Sequence, residues 1–228
     1  FYPFRGIREN MNSPLIQLLV LAGIAVFLVL KLRGVLGTRD GYEAPRSDVM
    51  TPEANREKFE VIEGGPDQDI TDHVDEKSPE AKALSEMKTA EPSFSVSEFL
   101  QRSKSAYEWI LMAFENGDIS QIKPYLADDV YEAFSGVVAS REEQGLTIDV
   151  EFIGVSEVSL VGARFNAAKN KAEVDVRFVG ELTSIVRDNA GVVVEGSETE
   201  VKRQRDIWTF SRVMGSDDPN WQLVTTGE

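Results

Sequence analysis

Hydrophobic and polar residues divide the chain into three stretches with different patterns. Residues 15–30 are almost continuously apolar, residues 40–91 are mainly acidic and polar, and residues 95–228 show first helical and then alternating periodicity. These patterns predict a hydrophobic helix, a connecting segment and one folded domain, in that order.

The folded domain begins with a predicted pair of helices. Ser95 with Glu98 forms a capping box, which satisfies free amides at a helix start. Apolar or small side chains then recur every three or four residues up to Asn116-Gly117, where the helix is expected to end. These positions are Phe99, Ser103, Tyr107, Ile110 and Phe114. A second helical stretch is predicted over about 118–144, interrupted near Pro124.

After Gly145 the periodicity changes to the alternation that is typical of strands. Helices followed by an antiparallel meander predict an α+β domain, in which a twisted sheet wraps over the helices and leaves an apolar cup. Aromatic side chains on the inner face are expected to fill the core or to line this cup and bind a ligand. They are Phe152, Phe178, Trp208, Phe210 and Tyr107.

The apolar run predicts a transmembrane anchor over residues 12–33, because a helix of this length spans about 30 Å. A cleaved signal peptide carries its positive charge before the apolar run, whereas Lys31 and Arg33 follow this one. If Met11 is the true start, residues 1–11 are an over-extended start or a short tail. The positive-inside rule then places the C-terminal domain in the cytoplasm.

Residues 34–94 contain five prolines and many acids, which predicts a disordered tether. Asp67, Asp69, Asp72 and His73 cluster in it and could in principle hold a metal. A solvated acidic run is the better interpretation, because nothing in the sequence arranges these side chains. The sequence therefore predicts no metal and no cofactor.

The net charge of -15 and the absence of cysteine exclude several classes of protein. An acidic chain does not suit nucleic acid, and a chain without cysteine has no disulfide scaffold or thiolate nucleophile. Basic residues beside the apolar run and on one strand could contact lipid headgroups. They are Lys31, Arg33, Lys202, Arg203 and Arg205; for the last three, a solvated strand edge is an equally good interpretation.

Both ends of the folded domain resemble a known family. The opening "FLQRSKSAYEWILMAFENGDISQIKPYLADDVYEAF" and the closing "DIWTFSRVMGSDDPNWQLVTTGE" are similar to the Tim44-like domain, named for a matrix-side subunit of the mitochondrial inner-membrane import translocase. The resemblance covers about residues 95–228. It implies a nuclear-transport-factor-two-like cone with an apolar pocket and affinity for membrane lipid. The layout before residue 95 resembles bacterial members, especially those of alphaproteobacteria.

We therefore expect a non-enzymatic adaptor at the bacterial inner membrane that binds lipid or a translocation-related protein through the cup. The domain has no histidine or cysteine, and its tyrosines and acids are expected to pack in the core or face solvent. These are Tyr107, Tyr125, Tyr131, Asp149, Glu173 and Asp175. Two alternatives remain: a periplasmic subunit resembling one in type IV secretion systems, and a small-molecule enzyme or carrier using the cup.

Overall fold

A computed structural model describes residues 66–227 of the chain, with helices first and strands afterwards. The helices are α1 (Gln68–Thr71), α2 (Pro79–Ala90), α3 (Val96–Glu115) and α4 (Asp128–Glu143), with a 3-10 turn at Lys123–Tyr125. The strands are β1 (Thr147–Asn166), β2 (Lys171–Arg187), β3 (Val193–Val213) and β4 (Gln222–Gly227), paired antiparallel in chain order. The α+β prediction is confirmed.

The long strands bend because the pairing register shifts along them. β1 has three register shifts against β2, and β2 has two against β3. At the larger of these two, the three residues 182–184 of β2 lie opposite the six residues 197–202 of β3. Extra residues on one strand bend it and increase its twist, so the sheet curves over the helices.

The core lies between the inner face of the sheet and α3. Val174, Val176 and Phe178 on β2 are fully buried, as alternation predicts, and the register places Val176 beside Trp208 of β3. Helix α3 begins after Ser95, whose side chain accepts a hydrogen bond from the Glu98 amide, and ends at the predicted Asn116-Gly117.

Part of the acidic segment is folded, which corrects the prediction of a tether extending to residue 94. Ser78 caps α2 and Pro79 stands at its start; both favour a helix. Leu84 and Met87 are fully buried, and α2 packs against β1. The stretch "SPEAKALSEM" therefore carries an apolar stripe that the surrounding acids obscured.

Asp69 links this segment to α3. Its carboxylate accepts hydrogen bonds from the amides of Val96 (2.8 Å) and Ser97 (2.9 Å) and lies 2.8 Å from the Lys88 ammonium. Burial alone would raise the pKa of Asp69, but the hydrogen bonds from Lys88, Ser97 and Val96 hold that pKa well below its usual range. Asp69 thus binds Lys88 and the start of α3, and Asp67, whose side chain remains exposed, lies 2.7 Å from the same ammonium.

Among residues 66–227, no helix is long and apolar enough to cross a membrane. The anchor predicted at residues 12–33, with Lys31 and Arg33, lies outside these residues, as do the proposed start at Met11 and the tether up to residue 65.

Candidate functional site

The five aromatic residues predicted for the cup form one cluster, called the aromatic cluster below: Tyr107, Phe152, Phe178, Trp208 and Phe210. The Tyr107 ring stacks on Phe178 at 4.5 Å between centroids and lies 4.7 Å from Trp208. Tyr107 and Phe178 are 0% exposed, Trp208 is 4% exposed and Phe152 is half-buried. Because α3 fills the space over the sheet, these side chains pack as core. Ligand binding by them stays a prediction.

A buried polar pair lies within the aromatic cluster. The Tyr107 hydroxyl donates a hydrogen bond of 2.5 Å to Asp206 Oδ2, and the Gln204 amide donates one of 3.2 Å to Oδ1. Burial and the bond to Asp206 raise the pKa of Tyr107 far above its ordinary value, so the hydroxyl stays protonated. A Cβ at Gly180 would lie 2.9 Å from the Tyr107 oxygen, which explains the glycine.

Sequence analysis missed Asp206 as the partner of Tyr107. The sequence does indicate this position, because Asp206 is two residues from Trp208 and four from Phe210 on the same strand. Alternation therefore places all three side chains on the same face of the sheet. The acids that the sequence suggested as partners of a tyrosine form other contacts. Asp175 pairs with Arg164 and accepts from Thr209, Asp149 lies 3.5 Å from Arg187, and Glu173 lies 3.0 Å from Lys171.

Strand alternation separates the three basic residues predicted to meet lipid. Arg203 and Arg205 are exposed on the outer face, and Arg203 binds Glu181 at 2.7 Å. Lys202 belongs to the alternate residues of β3 that point to the inner face of the sheet, and its ammonium lies 3.4 Å from the Glu195 carboxylate. The structure therefore does not present the three as one patch, and contact with headgroups stays a prediction.

A surface groove, not predicted from the sequence, lies between α3 and the turn that joins β3 to β4. Its volume is about 550 Å³, which falls in the range of small-ligand sites. The rings of Phe99 and Trp221 lie 4.6 Å apart in it, and Phe94 is 5.9 Å from Trp221. Its other lining residues include Ser93, Ser95, Glu98, Arg102, Ser103, Ala106, Tyr125, Phe210 and Asn220.

An ion pair closes one end of the groove. Glu91 binds Arg212 at 2.8 Å and also accepts a hydrogen bond from the Gly215 amide at 2.8 Å. Burial would raise the pKa of Glu91, but the bonds from Gly215 and Arg212 hold that pKa below its ordinary value. Glu91 and Arg212 thus neutralise each other at this end of the groove. The groove has aromatic rings at its floor, and its rim carries hydroxyls, an amide and the exposed ion pair of Glu98 and Arg102.

The fold and the groove define an α+β domain with a surface groove of ligand size, lined by both aromatic and polar side chains. Residues 80–228 match the model of the Tim44-like domain. The chain belongs to this family. The family resemblance of the folded domain is confirmed, with a match that begins at residue 80 and not at residue 95, and the likeness to bacterial members stays a prediction.

Two relatives are mitochondrial proteins. The mitochondrial import inner membrane translocase subunit TIM44-1 of Arabidopsis thaliana is 23% identical over 68% of this chain and 34% of that protein. The subunit TIM44 of Homo sapiens is 21% identical over 65% of this chain and 33% of that protein. The chain thus spans about a third of each relative. The crystal structure of the intermembrane space region of chloroplast protein ARC6 matches at 15% identity and a TM-score of 0.36, covering 64% of this chain and 94% of that one.

Proposed function

We propose that this protein is a membrane-tethered, non-enzymatic adaptor whose Tim44-like domain binds a partner protein of a translocation machinery. Membership of the family and similarity to two import translocase subunits support this proposal. We further propose that residues 12–33 anchor it in a bacterial inner membrane, with the domain, a cone of the nuclear-transport-factor-two-like type, in the cytoplasm.

The groove is the observation that carries the proposal of binding. Interface energy is concentrated in a few apolar anchors that enter pockets and exclude water, with a polar rim around them. The groove has this anatomy, with aromatic rings at its floor and Ser93, Asn220 and Arg102 at its rim. An apolar side chain of a partner would gain about 25 cal/mol for each Å² of apolar surface that it buries there.

Tethering would add to this affinity. A domain held near the membrane meets membrane partners at an effective concentration set by the connecting segment, so a modest intrinsic affinity suffices for stable association. A tethered domain also stays close to membrane lipid, and we propose lipid as a second ligand of the domain.

Blocking the groove tests the proposal. Ala106 is half-buried on α3 and lines the groove, so the side chain introduced by A106R would occupy it. Ser105 precedes it on the same helix and is exposed, so S105R adds the same charge away from the groove. We expect A106R to abolish the partner crosslinks formed in native membranes and S105R to retain them. Equal crosslinking by the two variants would exclude the groove.

The proposed topology and lipid binding need their own measurements. Alkaline phosphatase fused at the C terminus should be inactive if the domain is cytoplasmic, and activity would instead favour a periplasmic subunit. Flotation of the domain with anionic liposomes tests lipid binding directly, and a domain that stays at the bottom of the gradient would leave protein as its ligand.

A further inference from the structure

Residues 67–74 lie against the start of α3 and precede α2 in the chain. This segment, called the strap below, contains the four residues of α1 and contacts both α2 and α3. Its Ile70 side chain is buried in the hydrophobic core, and Val74 packs against the same core. The strap is therefore packed on the folded domain.

Asp69 fastens the strap to the first turn of α3. Its Oδ1 atom accepts hydrogen bonds from the Ser97 amide at 2.9 Å and the Ser95 hydroxyl at 3.1 Å. Its Oδ2 atom accepts one from the Val96 amide at 2.8 Å. The first amides of a helix have no acceptor within the helix, and a negative charge beside them is favourable. Asp69 therefore supplies an acceptor for two amides that α3 cannot satisfy by itself.

Two further polar contacts hold the strap. The Lys88 ammonium of α2 lies 2.8 Å from the Asp69 carboxylate and 2.7 Å from that of Asp67. The Lys88 side chain is 20% exposed, so solvent screens these ion pairs less than it screens surface pairs. The His73 ring nitrogen Nε2 lies 3.1 Å from the Ser97 hydroxyl oxygen. Three residues of the strap thus contact α2 or the first turn of α3.

The same turn of α3 forms one wall of the groove. Ser95, Glu98 and Phe99 all line the groove, and the Phe99 ring lies 4.6 Å from the Trp221 ring on its opposite side. The Ser95 hydroxyl donates to Asp69 and accepts a hydrogen bond of 3.3 Å from the Glu98 amide. Ser95 therefore belongs both to the wall of the groove and to the attachment of the strap.

We propose that the strap positions this wall of the groove and that Asp69 is the positioning residue. The inference rests on the proposed function of the groove as the site of a partner protein. With the strap docked, Ser95 and Phe99 are held where the partner contacts them. With the strap released, two amides of α3 lose their acceptor and the turn loosens. Docking of the strap and binding in the groove therefore stabilise each other, because coupling between two sites is reciprocal.

Hydrogen–deuterium exchange of the full chain, read by mass spectrometry, tests the attachment of the strap. D69N keeps the size of the side chain but removes its charge and one acceptor oxygen. We expect exchange in residues 67–74 and 96–99 to rise about tenfold or more, with no change in residues 174–178 of β2. The exposed Asp72 side chain of the strap takes part in none of these bonds, so the control D72N should leave all three segments unchanged.

Partner crosslinking in native membranes tests the coupling of the strap to the groove. We expect D69N to lower the crosslink yield about fivefold or more and D72N to retain it. D69E returns a carboxylate and should recover part of the yield, which a general loss of packing at this position would not allow. A106R, which blocks the groove directly, is measured beside these variants.

The outcomes separate this proposal from the proposed function. If A106R retains the crosslinks, the groove is not the partner site and both proposals fail. If A106R abolishes them and D69N retains them, only the positioning role of Asp69 is overturned. A yield for D69E no higher than that for D69N would overturn the role of the carboxylate. A rise of exchange in β2 as large as that in residues 96–99 would also overturn the proposal, because Asp69 would then stabilise the whole domain.

Discussion

Replacing Leu84 by alanine tests whether the domain includes the end of the acidic segment. Leu84 lies on α2, is 0% exposed and belongs to the same hydrophobic core as Tyr107 and Phe178. If α2 were part of a tether, L84A would remove no contact and leave the free energy of unfolding unchanged. The structure instead predicts that L84A leaves a cavity within the hydrophobic core.

The expected cost of L84A follows from its complete burial. Removing the buried methyl and methylene groups of leucine forfeits about 2–3 kcal/mol of transfer free energy, and the cavity brings the total to about 3–4 kcal/mol. A domain of ordinary stability has about 5–15 kcal/mol, so this is a large fraction. With a urea m-value of about 2 kcal/mol/M, the unfolding midpoint should fall by about 1.5–2 M.

Urea unfolding followed by tryptophan fluorescence measures this midpoint. Lys82, two residues earlier on α2, has a side chain that is 80% exposed, so K82A should change the free energy of unfolding by less than about 0.5 kcal/mol. A midpoint for L84A equal to that of K82A would refute the packing of α2 on the core.

Two further predictions concern Tyr107 and Glu115. G180A places a methyl group 2.9 Å from the Tyr107 hydroxyl oxygen, and overpacking should lower the free energy of unfolding by about 1–3 kcal/mol in thermal or urea unfolding. Burial raises the pKa of Glu115 despite Arg141, so the folded state holds the proton more tightly than the unfolded state does. Stability should therefore fall as the pH rises above 4.5 through the folded pKa. E115Q should flatten this part of the pH profile, and a profile unchanged by E115Q would show that Glu115 is not its source.

The sequence predicted the elements whose patterns are local. Ser95 and Asn116-Gly117 mark the ends of α3 through their own backbone and side-chain chemistry, and the alternation at Val174, Val176 and Phe178 depends only on the strand period. The family resemblance could be recognised from the sequence for the same reason, because the two ends of the folded domain that carry it are continuous stretches of sequence. The acids around α2 hid its apolar stripe, because the helix is stabilised by contact with β1, which comes much later in the chain.

Sequence alone thus determined the helix and strand periodicities, the inward parity of the aromatic residues and the acidic charge. Tertiary structure decided that α3 fills the predicted cup and that a groove lies at another edge of the domain. Tyr107 meets Asp206 across 99 positions, and Phe94 meets Trp221 from opposite ends of the domain. Whether aromatic side chains fill the interior or leave a cavity depends on how surfaces that are distant in the sequence pack against each other. No local sequence pattern encodes this packing.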